Sequence, residues 1–123
     1  MIYNEEYKVK FYINSKTGEK PAFEYIKLLD QKTRQKVNKY IEFLRENKGY
    51  LNEPYSRHIC GKIRELRVDF NNGRHRIFYF SFLDKKIILL NAFLKNTDKT
   101  PIKQISIAEN NYQDTINNSQ LYE

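Results

Sequence analysis

"KIRELRVDFNNGRHRIFYF", residues 62–80, decides the reading of this chain. It contains two runs rich in β-branched and aromatic residues, divided by Asn72-Gly73, a dipeptide that favours a tight hairpin turn. A third run, "IILLNAFLKNTDKTP" at residues 87–101, follows a weaker turn signal at Asp84-Lys85. The pattern predicts strands near 62–70, 74–82 and 86–95. Arg67, Arg76 and Lys95 recur inside these strand-like segments, so the face on which they lie becomes the central question.

Side chains on a strand alternate between faces. With Asn72-Gly73 as the turn, Asn71 pairs with Arg74, Val68 lies opposite Ile77, Leu66 opposite Tyr79, and Asp69 opposite Arg76. Across the next turn Phe82 pairs with Ile87, Ile77 with Ala92, and Arg76 with Phe93. One face then carries Leu66, Val68, Ile77, Tyr79, Ile88, Leu90, Ala92 and Leu94, and is expected to pack on helices. The other carries Glu65, Arg67, Asp69, Arg76, Phe78, Phe80, Asn91, Phe93 and Lys95. A one-residue slip would drive Arg76 into the core, where an unpaired charge is costly. Parity is therefore well determined even where turn type is not. The charged face has two readings. It is either a cross-strand ion network, with Asp69 on Arg76 and Glu65 on Arg67, or a surface for a phosphate and its stacked bases.

Outside this region, "YKVKFYI" at 7–13 alternates like a half-buried strand, with Val9, Phe11 and Ile13 on one side. Pro21 suits the first turn of a helix with the stripe Ala22, Tyr25, Ile26 and Leu29. Asp30 can cap a second helix reaching about Lys48, with the stripe Val37, Tyr40, Ile41 and Leu44 and a stop at Gly49. The outer face of that helix carries Lys32, Arg34, Lys36, Lys39 and Arg45, read mainly as solvated. Residues 50–61 read as a loop. Thr100 as N-cap and Pro101 at the first position open a last helix with the stripe Ile102, Ile105, Tyr112 and Ile116. The polar tail from about residue 117 is expected to fray. The fold class is α+β, in the order β-α-α-β-β-β-α, as one domain over residues 1–123 on a mainly antiparallel sheet.

The chain has 22 Lys and Arg against 15 Asp and Glu, for a net charge of +7. A basic surface attracts phosphate backbones or an acidic protein partner. No run of 18 apolar residues exists to span a membrane, and "MIYNEEYKVK" lacks a signal-peptide core. With one cysteine, Cys60, the expected compartment is the cytoplasm.

The motifs Glu65-Leu66-Arg67, His75-Arg76-Ile77-Phe78-Tyr79 and Phe93-Leu94-Lys95-Asn96-Thr97-Asp98-Lys99-Thr100-Pro101, with Ala108 beyond them, resemble the HigB-like, phage-derived branch of the RelE/ParE toxin superfamily. The motif region covers about 61–110, and the upstream elements match the family's order. His75 replaces the usual Tyr, and Asn96 the usual second lysine, which removes a cation there. The resemblance implies a RelE-like fold and the toxin of a type II toxin–antitoxin system. Such a toxin enters the ribosomal A site and cleaves mRNA during translation. It is held inactive by a cognate antitoxin, often a helix-turn-helix protein, and meets operator DNA through that complex. Two alternatives stay open: a ParE-like inhibitor of DNA gyrase that cleaves nothing, and a non-catalytic RNA-binding module.

Metal-free RNA cleavage needs a base for the 2′-hydroxyl, cations for the phosphorane and an acid for the leaving 5′-oxygen. No Asp, Glu, His or Cys spacing suggests a metal site, and no cofactor is expected. Arg67 and Arg76 are assigned to the phosphate, because guanidinium is bidentate and stays charged. Lys95 is the third cation, and a base if crowding lowers its pKa. Glu65 is an alternative base or an ion-pair partner. Glu65, Phe78, Phe93, Thr97 and Lys99 are expected to contact RNA or the ribosome. His75 is a possible acid–base group, but its parity places it on the other face beside Phe70. His58 is a weaker candidate still. Tyr79 and Cys60 read as structural.

Overall fold

The computed structural model describes residues 6–82 and 84–123. The leader and domain readings that concern residues 1–5 fall outside the described residues, as does Leu83. The elements are β1 (Lys8–Phe11), α1 (Pro21–Lys27), α2 (Gln31–Glu46), β2 (Ser56–Cys60), β3 (Ile63–Phe70), β4 (Gly73–Phe82), β5 (Lys86–Leu94) and α3 (Ile102–Asn117), closed by a 3-10 turn at Ser119–Tyr122. They form an α+β fold on one five-stranded sheet of order β1-β5-β4-β3-β2. Among the described residues only the β1–β5 pairing is parallel. The arrangement is consistent with a RelE-like fold.

The helix pair forms where its local signals place it. Pro21 opens α1. Asp30 caps α2, accepting the Thr33 amide at 3.2 Å and the Thr33 hydroxyl at 2.6 Å. Their stripes bury Ala22, Ile26, Val37, Ile41 and Leu44 against Leu66, Val68, Ile77, Tyr79, Ile87 and Leu89. Gly49 follows α2 at φ +84°, its amide bonded to Leu44 O at 2.9 Å. Glycine is required there, since a side chain would run into Ser81 Oγ.

The β3–β4 turn differs from expectation. Its two central residues are Asn71 and Asn72, at φ +52° and +63°, and Phe70 pairs with Gly73. Asparagine tolerates this left-handed backbone in primed hairpin turns. Gly73 is spent instead on close approach, because a Cβ there would lie 2.8 Å from His75 Nε2 and 3.3 Å from Phe70 O. The register moves by two residues, so Leu66 lies opposite Ile77, Arg67 opposite Arg76, and Val68 opposite His75. A two-residue shift keeps every side chain on its expected face.

A β-bulge changes β5. Phe78 pairs with Asn91 but Tyr79 pairs with Leu89, which leaves Leu90 extra. Residues 91–94 keep the expected pairing, while 87–90 invert. Ile87 and Leu89 therefore face the helix pair, and Ile88 and Leu90, expected there, lie on the other side. Leu94, also expected in the core, is exposed.

The second sheet face is not an open groove along its length. The helix α3 covers much of it, burying Phe78, Phe80, Ile88, Leu90 and Phe93 with Ala108 and Tyr122. The helix begins one residue later than expected, at Ile102. Pro101 is its N-cap, and Thr100 makes no capping hydrogen bond. Ile102 and Ile116 are exposed, while Ala108 and Thr115 are fully buried beside the half-buried Ile105 and Tyr112. The tail does not fray. Tyr122 is buried, and its hydroxyl accepts from Ile13 N at 2.9 Å and donates to Ile13 O at 3.3 Å. Asp114 adds a clasp to the segment after β1, accepting from Tyr12 Oη at 2.6 Å, Ser15 N at 2.9 Å and Ser15 Oγ at 2.6 Å.

Residues 50–61 are not all loop. Ser56–Cys60 forms β2, an edge strand antiparallel to β3, with Arg57 opposite Glu65. Five residues with no apolar alternation carry no periodic signal, so the strand exists because β3 supplies its partners.

Candidate active site

The charges lie on the second sheet face, at the end where β5 leads into the β5–α3 loop. Pairing places Arg57, Glu65, Phe78 and Asn91 in one row across β2, β3, β4 and β5, and Arg67, Arg76 and Phe93 in the next. Lys95 follows β5, its amide bonded to Arg74 O at 2.8 Å. Arg67, Arg76 and Lys95 thus come together on one side of the sheet, as parity requires.

Glu65 lies at the centre of the group and is completely buried. Its Oε1 is 3.7 Å from Arg67 Nε and 4.0 Å from Arg76 Nε, too far for hydrogen bonds. Among the described residues, neither carboxylate oxygen has a hydrogen-bond partner, nor do the Nε atoms of Arg67 and Arg76. Burial pushes the Glu65 pKa upward, while Arg76, Lys95, Arg67 and Arg57 pull it down, and burial prevails. Lys95 is also buried, which lowers its pKa, with Glu65 opposing the shift and Arg76 and Arg67 adding to it. Among the described residues, none hydrogen-bonds its ammonium.

The three cations are not equivalent. Arg76 is 1% exposed and fixed by Nη1 bonds to Asp69 Oδ1 at 2.7 Å and to its neighbour's carbonyl, His75 O, at 3.0 Å. The expected Asp69–Arg76 pair is therefore present. Arg67 keeps 24% of its side chain exposed and is the more accessible guanidinium.

Other candidates fall elsewhere. Phe78 and Phe93 are buried edge to face, 5.2 Å apart, and have no open ring face for a base. They form the floor under the charges. Thr97 and Lys99 are exposed in the β5–α3 loop, where Thr97 Oγ1 donates to Lys99 O at 2.7 Å. His75 is on the opposite face, its Nδ1 hydrogen-bonded to Tyr25 Oη at 2.7 Å, and burial depresses its pKa. His58 is exposed, with Nε2 bonded to Gly61 O at 2.8 Å. Tyr79 is buried, bonded to Ser56 Oγ at 2.7 Å and donating to Gly49 O at 3.2 Å. Burial raises the Cys60 pKa, which disfavours its thiolate. Among the described residues no group of His, Cys, Asp and Glu could hold a metal ion.

One residue of the site was missed in sequence, and another, Asn91, was placed on the right face without a role. Arg57 belongs to the unsignalled β2. Asn91 is buried, donates to Gln104 Oε1 at 3.2 Å, and has an unpartnered Oδ1. Its only signal was a lone amide in an apolar run.

The arrangement can bind an anion and move a proton. Its cations converge in a low-dielectric recess, and two titratable groups there have pKa values displaced toward each other. A family model described as "Phage derived protein Gp49-like (DUF891)" matches residues 24–113, from α1 into α3, and so includes all of these residues. Nothing among the curated proteins matches the chain.

Proposed function

We propose that the chain, which belongs to the Gp49-like family of phage-derived proteins, is the toxin of a type II toxin–antitoxin pair and cleaves mRNA on the ribosome. The observation that carries this reading is the buried Glu65 carboxylate, ringed by Arg57, Arg67, Arg76 and Lys95 yet without one hydrogen bond. A structural ion network normally satisfies its buried oxygens, and unsatisfied groups recur where a protein works.

In the proposed reaction the 2′-oxygen attacks the adjacent phosphorus and the bond from phosphorus to the 5′-oxygen breaks. Arg67 and Arg76 stabilise the charge on the phosphorane oxygens. Lys95, its pKa lowered by burial, takes the 2′-hydroxyl proton in its neutral form. Glu65 holds the cations in place and offsets their mutual repulsion. The leaving 5′-oxygen takes a proton from water. The products are a 2′,3′-cyclic phosphate and a 5′-hydroxyl, and no metal enters a step. Substrate must draw Arg76 and Lys95 outward, since both are nearly closed off. The toxin acts in the cytoplasm, and an antitoxin of acidic surface, of the helix-turn-helix kind, neutralises it and carries it to operator DNA.

The test is primer extension on mRNA translated in the presence of purified protein. Discrete cuts ending in 2′,3′-cyclic phosphate are expected, and they should persist in EDTA at levels that leave ribosomes assembled. Intact mRNA together with blocked gyrase supercoiling would replace this reading with the ParE-like one.

A further inference from the structure

Beside the charged recess, a cleft of about 340 Å³ opens between β2 and the β5–α3 loop. Arg57, Ile59, Lys95, Asp98, Lys99 and Ile105 are among the residues that line it. The volume lies at the small end of ligand sites and suits one nucleotide. Its walls divide by chemistry. Arg57 and Lys99 are exposed cations, one on each side, and neither has an ion pair among the described residues. Ile59 and Ile105 are half-buried members of the α3-side core, so they offer apolar surface without closing the cleft. Asp98 is an exposed carboxylate among the lining residues. Lys95 belongs both to this cleft and, through its charge coupling to Glu65, to the recess. The cleft and the recess thus share Lys95.

We propose that this cleft holds one nucleotide of a single-stranded RNA next to the cleaved bond, its phosphate on Arg57 and Lys99 and its base against Ile59 and Ile105. The choice of an RNA strand rests on the RNA-cleaving reading above, whereas the presence of a nucleotide site does not. Exposed cations on both walls gain from a phosphate, and the flanking apolar walls take a base face that water solvates poorly. The Asp98 carboxylate favours a base that presents an amino group. The cleft thereby sets which nucleotide flanks the cut.

The probes are a short RNA carrying a 2′-deoxynucleotide at each position, which cannot be cleaved, and the four free nucleoside 5′-monophosphates. Binding is followed by fluorescence anisotropy and by the Ile59 and Ile105 methyl resonances. The strand is expected to shift both methyls, and the free nucleotides to do so only weakly. Arg57→Gln with Lys99→Gln should weaken strand binding about 10–100-fold at low salt and flatten the slope of log K against log salt by roughly 0.7 per lost phosphate contact. Both residues are exposed, so the core methyl spectrum should be retained. Unmoved Ile59 and Ile105 methyls, or unchanged affinity in the double variant, would overturn the subsite. Free nucleotides binding as tightly as the strand would replace an RNA track with a mononucleotide site. Wild type that binds the strand in the cleft but leaves translated mRNA intact would sink the cleavage reading and leave the subsite standing.

Discussion

At the scale of single residues, the site depends on charges that water cannot reach. Arg76 is 1% exposed and held by Asp69 at 2.7 Å beside the buried Glu65, so its loss bears on stability as well as on chemistry. Arg76→Ala is expected to lower mRNA cleavage about 10²–10³-fold, the scale of one charge-stabilising donor, and a urea melt separates that loss from the stability lost with a buried ion pair. His75 gives the contrasting expectation. Burial depresses its pKa below the ordinary 6.5, so the unfolded chain binds more protons between the depressed value and 6.5. Stability should therefore fall as pH drops through that window and level off below it. In urea melts at several pH values His75→Phe should lose this slope, while mRNA cleavage at neutral pH stays close to wild type. A slope that survives the substitution, or cleavage abolished by it, would contradict the placement.

At the scale of elements, the informative pieces are those that local pattern alone misplaces. The last turn is one. Tyr122 sits in the core under α3, and its hydroxyl bonds both polar groups of Ile13. Truncation after Gln120 removes that ring and should destabilise the protein by about 3–5 kcal/mol, the usual cost of emptying an aromatic core position. Removing a frayed tail would cost almost nothing, so a urea titration separates the two cases. The bulge at Leu90 is the second piece. By inverting residues 87–90 it lets one strand serve two cores, with Leu89 toward the helix pair and Leu90 toward α3. Alternation cannot reveal this, because "IILL" is apolar at every position.

At the scale of the whole molecule, the charge of +7 has two destinations. Part lies over aromatic rings on the α2 side, with Lys36 above Tyr40 and Phe70, and Lys39 above Phe43. That use fits a solvated helix face. Another part, Arg57, Arg67, Arg76, Lys95 and Lys99, converges on the recess and its cleft, from which the proposed activity follows. Expression of the chain alone should arrest growth, and co-expression of its antitoxin should relieve the arrest. Growth curves and pulse-labelled protein synthesis test this, and unaffected growth at verified expression would argue against an active toxin.

Sequence alone determined the α+β class, the helix pair with its Asp30 cap, and the face on which Arg67, Arg76 and Lys95 lie. These rest on local rules: a cap binds within its own turn, and strand alternation admits no intermediate between facing the core and facing away from it. A two-residue error in the hairpin left those faces untouched. Only the tertiary structure decided how open that face is. The covering by α3, the edge strand that brings Arg57 opposite Glu65, and the burial that strands the Glu65 carboxylate among cations all come from segments distant in sequence. Desolvation depends on everything packed around a group, and no short window of residues contains that information.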